Sequence, residues 1–335
     1  MNILVTGGAG YIGSHTVLQL LQSNYKVVVL DNLVNSSESS IRRVEEISGR
    51  RIEFFKGDIR DYNFLDGVFS SQKFDAVLHF AGLKAVGEAI NEPIKYYENN
   101  VLGSIQLFKV MQKYNTKSII FSSSATVYGN SNNSPLKEDM PTGIPTNPYG
   151  RSKLVIENIL ADLYVSDPRW CITSLRYFNP VGAHKSGLIG EDPRGLPNNL
   201  LPFISQTAVG IHEKMFVFGN DYDTPDGTGI RDYIHVMDLA SGHIRALEKY
   251  ISKRGVHTIN LGTGIGHSVL EVIHAFETVS AKTIPYDIID RRPGDVGVCY
   301  ADPSKANLEL DWVANRDLIE MCKDTWRWQS QKLLL

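Results

Sequence analysis

Three glycines near the start of the chain, Gly7, Gly10 and Gly13, constrain its fold more than any other feature. They lie in Thr6-Gly7-Gly8-Ala9-Gly10-Tyr11-Ile12-Gly13, between the apolar run 2–6 and the helical pattern 13–22. Without Cβ atoms, the backbone of this G-x-x-G-x-x-G turn can bend sharply and approach a pyrophosphate. The helix that follows offers unpaired N–H groups and the positive end of its dipole to the anion. Asp31 closes the next apolar run, about 20 residues on, where a carboxylate accepts from a ribose 2′-hydroxyl and repels a 2′-phosphate. The pattern points to NAD. Alone, it also describes an ordinary turn with Asp31 as a cap.

The rest of the chain supports the nucleotide reading. Short β-branched runs alternate with longer helical patterns, the rhythm of a parallel sheet covered on both faces. Strands are expected at 2–6, 26–31, 51–56, 76–80, 118–122 and 172–176, and helices at 13–22, 94–114 and 148–164. Segments 179–199 and 219–229, rich in Gly, Pro and Asn, read as binding loops interrupted by apolar stretches such as 200–209. A helix over 236–250 and a strand over 257–261 can return to the main sheet. The fold expected is α/β, a doubly wound parallel (Rossmann) sheet with a smaller mixed α/β substrate lobe. Residues 1–179 would hold the nucleotide, with part of about 230–262 returning to that unit, and 180–335 would mainly hold the substrate.

Chemistry is suggested by Asn147-Pro148-Tyr149-Gly150-Arg151-Ser152-Lys153. Asn147 suits an N-cap and Pro148 a first helical position, so a helix begins here. Tyr149 and Lys153, at i and i+4, then share a face. A phenol with a pKa of about 10 is a poor base at neutral pH; a nearby ammonium and a cationic nicotinamide both favour the phenolate. Ser122-Ser123-Ser124-Ala125-Thr126-Val127-Tyr128-Gly129 follows the fifth strand, and Ser124 stands at the strand end where open α/β sheets bind ligands. Asp58, ending the third strand, suits either adenine or a turn.

Together these residues resemble the extended short-chain dehydrogenase/reductase family, and within it the UDP-galactose (UDP-glucose) 4-epimerases. The resemblance extends over nearly the whole chain, through His79-Phe80-Ala81-Gly82-Leu83-Lys84-Ala85-Val86-Gly87-Glu88, Leu175-Arg176-Tyr177-Phe178-Asn179-Pro180-Val181-Gly182-Ala183 and Arg231-Asp232-Tyr233-Ile234-His235-Val236. It implies an NAD-dependent isomerase in which Tyr149 takes the sugar O4 proton, Lys153 binds the nicotinamide ribose and steadies the phenolate, and Ser124 assists. Implied NAD contacts are Gly7, Gly10, Tyr11, Ile12, Gly13, Asp31, Asn32, Asn35, Ser36, Asp58, Ile59, Phe80, Ala81, Gly82, Lys84, Asn99, Ser122 and Phe178, besides Tyr149 and Lys153. Implied substrate contacts are Lys84, Ser124, Tyr149, Asn179, Asn199 and Leu200, with Phe216, Val217 and Phe218 holding uracil. Arg231 and Arg292 would clamp the diphosphate, a task suited to forked donors, and Asp295 would take the uridine ribose.

Cys299 departs from the tyrosine that restricts family members to glucose and galactose. A thiol leaves room for an acetamide, which implies that UDP-N-acetylhexosamines are also accepted; the other reading is a small buried hydrophobe. The chain ends in Leu333-Leu334-Leu335 where relatives carry a polar tail, a difference expected to affect only fraying.

Composition excludes several classes. A formal charge of −3 gives no global pull toward nucleic acid or anionic lipid. Three cysteines, Cys171, Cys299 and Cys322, argue against a disulfide framework. With no basic segment before the apolar Ile3-Leu4-Val5 and no apolar stretch of membrane-spanning length, a cytoplasmic protein is expected. Scattered histidines and the absence of C-x-x-C predict no metal site. The resemblance implies a homodimer built on the helices at 148–164 and 94–114. Two other readings remain: a sugar-nucleotide dehydratase or decarboxylase, and a non-catalytic NAD-sensing module. A dehydratase needs an Asp-Glu pair directly after the active hydroxyl, where Ala125-Thr126 stand here; a sensing module would lack the tyrosine or the lysine.

Overall fold

The structure, a computed structural model, describes residues 1–130, 133–292 and 294–332, so the Leu333–Leu335 departure lies outside the described residues. The chain first lays down β1 (Asn2–Thr6), β2 (Lys26–Asp31), β3 (Glu53–Lys56), β4 (Ala76–His79), β5 (Ser118–Ser124) and β6 (Cys171–Tyr177). It leaves the main sheet for β7 (Asn179–Val181), β8 (Met215–Phe218) and β9 (Ile230–His235), then returns with β10 (Gly255–Leu261). The main sheet runs β3-β2-β1-β4-β5-β6-β10, with every neighbouring pair parallel. This is the doubly wound α/β arrangement anticipated from the apolar runs.

Every residue of β4, β5 and β6 is buried, as covering both faces of the sheet requires. On one face, Val17, Leu18, Leu20 and Leu21 of helix Tyr11–Gln22 pack with Leu239, Ile244 and Leu247 of helix Val236–Tyr250. On the other, Leu65, Phe69, Leu107, Phe108, Ile156 and Leu160 come from helices Tyr62–Ser71, Gly103–Lys113 and Pro148–Ser166. A third core, with Leu201, Ile204, Val217, Ile273 and Phe276, lies under β8, which pairs with β12 (Tyr286–Ile289). In a further small sheet, β9 lies between β11 (Gly266–Ser268) and β13 (Val298–Cys299) and also pairs with β7.

Two elements differ from expectation in ways that matter for the site. β5 runs two residues past the expected end, bringing all of Ser122, Ser123 and Ser124 into the strand. The single helix expected over 94–114 is instead Pro93–Tyr96, a π-helical turn Tyr97–Leu102 and helix Gly103–Lys113. The wider turn buries the neighbouring Asn99 and Asn100 together. Asn100 bonds both the N–H (2.8 Å) and the C=O (3.0 Å) of Leu83 and donates to Ser152 Oγ (3.0 Å).

Candidate active site

Strand order reverses between β1's neighbours β2 and β4, which opens a crevice at the C-terminal ends of the strands. The glycine turn lines it. Gly7 has φ +72°, and a Cβ there would fall 2.5 Å from Ala81 N; one on Gly13 would fall 2.2 Å from Gly7 O. Helix Tyr11–Gln22 begins at Gly10 with no side-chain cap and no acidic residue in its first turn. Its leading N–H groups, those of Tyr11, Ile12 and Gly13 included, are therefore available to an anion. A dinucleotide fits this uncapped cradle.

Around it, Asp31 is buried and its carboxylate accepts from Ala9 N (3.0 Å), Leu33 N (2.9 Å) and Ser36 Oγ (2.8 Å). The carboxylate thus already serves the turn; Oδ2 takes only the Ala9 bond among the described contacts, which leaves it able to accept a hydroxyl. Asn32 donates to Asp58 Oδ2 (2.9 Å), and Arg60 forks onto the same Asp58 carboxylate and holds its pKa down at about 2. Asn35 is exposed beside them. The Ile59 side chain lies in the apolar core, and Phe80 packs on the His243 ring with centroids 4.8 Å apart. Ala81 N donates to Thr6 O (3.1 Å), and Gly82 lies between Asn100 and Lys153.

At the floor stand Tyr149, Lys153 and Ser124. Asn147 Oδ1 accepts from Gly150 N (2.9 Å) and caps the helix, with Pro148 in its first turn. Tyr149 and Lys153 are both buried on this helix, one turn apart. Lys153 Nζ donates to Ser122 O (2.7 Å) and lies 5.9 Å from the Tyr149 ring centroid. Burial pushes the Tyr149 phenol above its ordinary value, while a hydrogen bond with Ser124 acts the other way. Burial also lowers Lys153 to about 8, opposed by the charge of Glu157. The lysine's ammonium is thus engaged by a carbonyl, and desolvation outweighs the activation expected of it. A second cation above the phenol is what this geometry needs.

The other wall comes from the smaller sheets. Asn179 is exposed at the start of β7, beside the buried Phe178. Lys84 Nζ bonds Glu191 Oε1 (2.7 Å), and Asn199 Nδ2 donates to the same oxygen (2.6 Å). Leu200 follows as the first residue of helix Leu200–Ala208. In β8, Phe216 and Phe218 point away from the core that buries Val217. The Arg292 guanidinium lies 4.5 Å from the Phe218 ring centroid and bonds Asp295 (3.0 Å). Arg231 lies opposite Cys299 in the β9–β13 register. Cys299 packs against the cluster of Ala125, Val127 and Phe178, where burial raises its thiol to about 11.

The sequence reading missed Asn100, Glu157, Arg176 and Glu191, whose roles are set by contacts distant in sequence. A signal existed for one of them: Arg176 is the single charged residue in β6, a strand buried throughout. Among the described residues, no group of three or more His, Cys, Asp or Glu could hold a metal ion, and no helix is long and apolar enough to cross a membrane.

A family model described as GDP-mannose 4,6 dehydratase matches residues 4–325. The UDP-glucose 4-epimerase of Bacillus subtilis (strain 168) is 58% identical over 333 residues, 99% of this chain and 98% of the relative. The structure of UDP-glucose 4-epimerase from Bifidobacterium longum in complex with NAD+ and UDP superposes with TM-score 0.97 at 52% identity, covering 99% of each chain. The UDP-Glc/GlcNAc 4-epimerase of Campylobacter jejuni has TM-score 0.85 at 38% identity, over 98% of this chain and 99% of the other. With this identity over nearly the full length, and Ala125-Thr126 where a dehydratase needs its acid pair, the chain belongs to the UDP-glucose 4-epimerase family.

Proposed function

We propose that the protein is an NAD-dependent 4-epimerase that interconverts UDP-glucose with UDP-galactose, and UDP-GlcNAc with UDP-GalNAc, through a 4-keto sugar. The observation that carries this is the meeting of Tyr149, Lys153 and Ser124 on the floor of a crevice whose opposite end is an uncapped glycine cradle. When bound, NAD supplies a reversible hydride acceptor for C4 and the positive charge that Tyr149 lacks here. Tyr149 takes the O4 proton, Ser124 hydrogen-bonds the reacting oxygen, and Lys153 steadies the phenolate and the nicotinamide ribose. Phe216 to Phe218, Arg231, Arg292 and Asp295 hold the UDP end. That anchor is remote from the reacting carbon, so the ketone can turn over and take back hydride and proton with C4 inverted.

Cys299 supports the wider substrate range, being a small, partly buried side chain where a phenol would fill the space. The main sheet, with β10, serves the cofactor, and the smaller sheets serve the sugar nucleotide. Exposed Ile90 (helix Val86–Asn91), Ile94 (helix Pro93–Tyr96), Leu102 (the π-turn) and Val155 (the catalytic helix) support a homodimer through that face. The cytoplasm is the proposed location, since none of the three cysteines is in a disulfide.

Tyr149→Phe tests the reading. Epimerisation should fall by at least a factor of about 100, the range of a positioned general base, with bound NAD unchanged by absorbance. Undiminished turnover would refute it.

A further inference from the structure

The three consecutive serines that end β5 face three residues of the catalytic helix, each one turn beyond the last. Ser124 lies close enough to the Tyr149 phenol to oppose its upward shift, and the carbonyl of Ser122 accepts from Lys153 Nζ (2.7 Å). Ser123 Oγ donates to Glu157 Oε1 (2.5 Å). Tyr149, Lys153 and Glu157 are spaced at i, i+4 and i+8, so they form one stripe. Two of these rungs belong to the proposed chemistry, and the third has no part in it yet.

Glu157 is well anchored. Arg176 stands directly across from Ser123 in the β5–β6 register and forks onto the carboxylate, with Nε to Oε1 at 3.0 Å and Nη2 to Oε2 at 2.6 Å. The side chains of both partners are over nine-tenths buried. Arg176 also lies 4.9 Å from the Tyr128 ring centroid, and Tyr128 donates to Asn260 Oδ1 (2.7 Å) on β10. The catalytic helix is therefore bolted to the sheet through β5, β6 and β10. Buried ion pairs are weak sources of stability, because desolvation cancels most of the attraction. A pair kept here, one turn from Lys153, calls for another reason.

We propose that Glu157, held by Ser123 and Arg176, is a positioning residue for the epimerase reaction: it fixes the register of the catalytic helix on β5 and keeps the Lys153 ammonium charged. The proposal rests on the roles given above to Tyr149 and Lys153. The groups around Lys153 leave Glu157 as its nearby negative charge. On its own helix stand Tyr149 and Glu157; β5 offers the Ser122 carbonyl; β6 carries Tyr177, bonded to Ser122 Oγ, and Arg176. From β4, His79 is held neutral near pH 7 by burial, with the Lys153 charge adding to that, and from the π-turn Asn100 approaches across Gly82. Burial draws Lys153 down to about 8 and Glu157 opposes that shift, so loss of the carboxylate lowers the pH above which the ammonium is lost.

The test uses the NAD-loaded enzyme and a pH profile of kcat/KM with UDP-galactose. Glu157→Gln keeps the shape of the side chain and removes its charge, so the alkaline limb should move to lower pH. A shift of about one unit cuts the ammonium fraction at pH 8 roughly fivefold and at pH 6.5 by only about a quarter. Glu157→Asp, which keeps the charge, should hold the limb at its wild-type position. Ser123→Ala, which removes a rung and keeps both charges, should lower kcat without moving the limb. If the single Gln variant does not fold, Glu157→Gln with Arg176→Met leaves no unpaired buried charge and should show the same acid shift. A limb unmoved in the charge-removing variants, with activity lost equally at every pH, overturns the proposal. Failure of the underlying reading looks different: activity would then survive Tyr149→Phe.

Discussion

The two ends of the crevice are built from opposite materials. At the cofactor end the surfaces are mostly backbone: a glycine turn and bare helix N–H groups, with a strand-end carboxylate already held by three donors and the Asp58–Arg60 pair beside them. At the sugar-nucleotide end they are charged side chains that bond one another. Arg292 holds Asp295, Arg291 holds Asp221 and Lys84 holds Glu191, and the side-chain exposure of the partners ranges from 9% to 70%. A backbone cradle costs little to preorganise and suits a ligand that stays bound. Paired side chains must exchange partners whenever a substrate arrives, which suits a ligand that comes and goes. On the proposed function, the kind of atom each end presents suits retention at one end and turnover at the other.

Substitutions can break that contrast at either end. The largest effect should come from Gly7→Ala. Its backbone is left-handed and the new methyl would meet Ala81 N at 2.5 Å, so strain of about 1–2 kcal/mol adds to a backbone collision. Purified Gly7→Ala should carry little or no NAD by absorbance and melt earlier. Next is Cys299→Tyr, which fills the space beside Arg231. Turnover of UDP-GlcNAc should fall by on the order of 100-fold against UDP-glucose in a panel of the four UDP-sugars, with NAD content unchanged. A wild type inactive on UDP-GlcNAc would limit the enzyme to glucose and galactose. The smallest is Arg292→Lys. It removes a fork and a stacked guanidinium but keeps the charge, so KM should rise about tenfold with kcat nearly constant. An equal fall in kcat would mean that this end also works in the transition state.

The same contrast explains what could be read without coordinates. Strands such as β2 and β4 are buried on both faces and therefore appear as apolar runs. The glycine turn reads directly, because its spacing is the mechanism. In the smaller sheets, β13 has two residues and β11 three, and β12 is exposed throughout, so no periodicity marks them. The π-turn at Tyr97–Leu102 was invisible because one extra residue per turn hardly disturbs an apolar stripe. Glu157 and Arg176 lie 19 residues apart in sequence, and no local rule pairs them. Tyr149, Lys153 and Ser124 were legible as a set. The upward push of burial on the phenol, which Lys153 and NAD would have to offset, could not be read from sequence, because burial depends on what the rest of the chain places around it.

The return of β10 to the main sheet has a consequence for how such a molecule can be divided. β6 is flanked by β5 on one side and by β10 on the other, and more than 70 residues, including three of the six strands of the smaller sheets, separate β6 from β10. A fragment cut after Val181 would retain the whole glycine turn and the catalytic helix yet leave the β6 edge unpaired, a template for aggregation. A cut there would therefore be expected to yield an aggregation-prone piece rather than a soluble module, because the strand that closes the main sheet comes only after three strands of the smaller sheets.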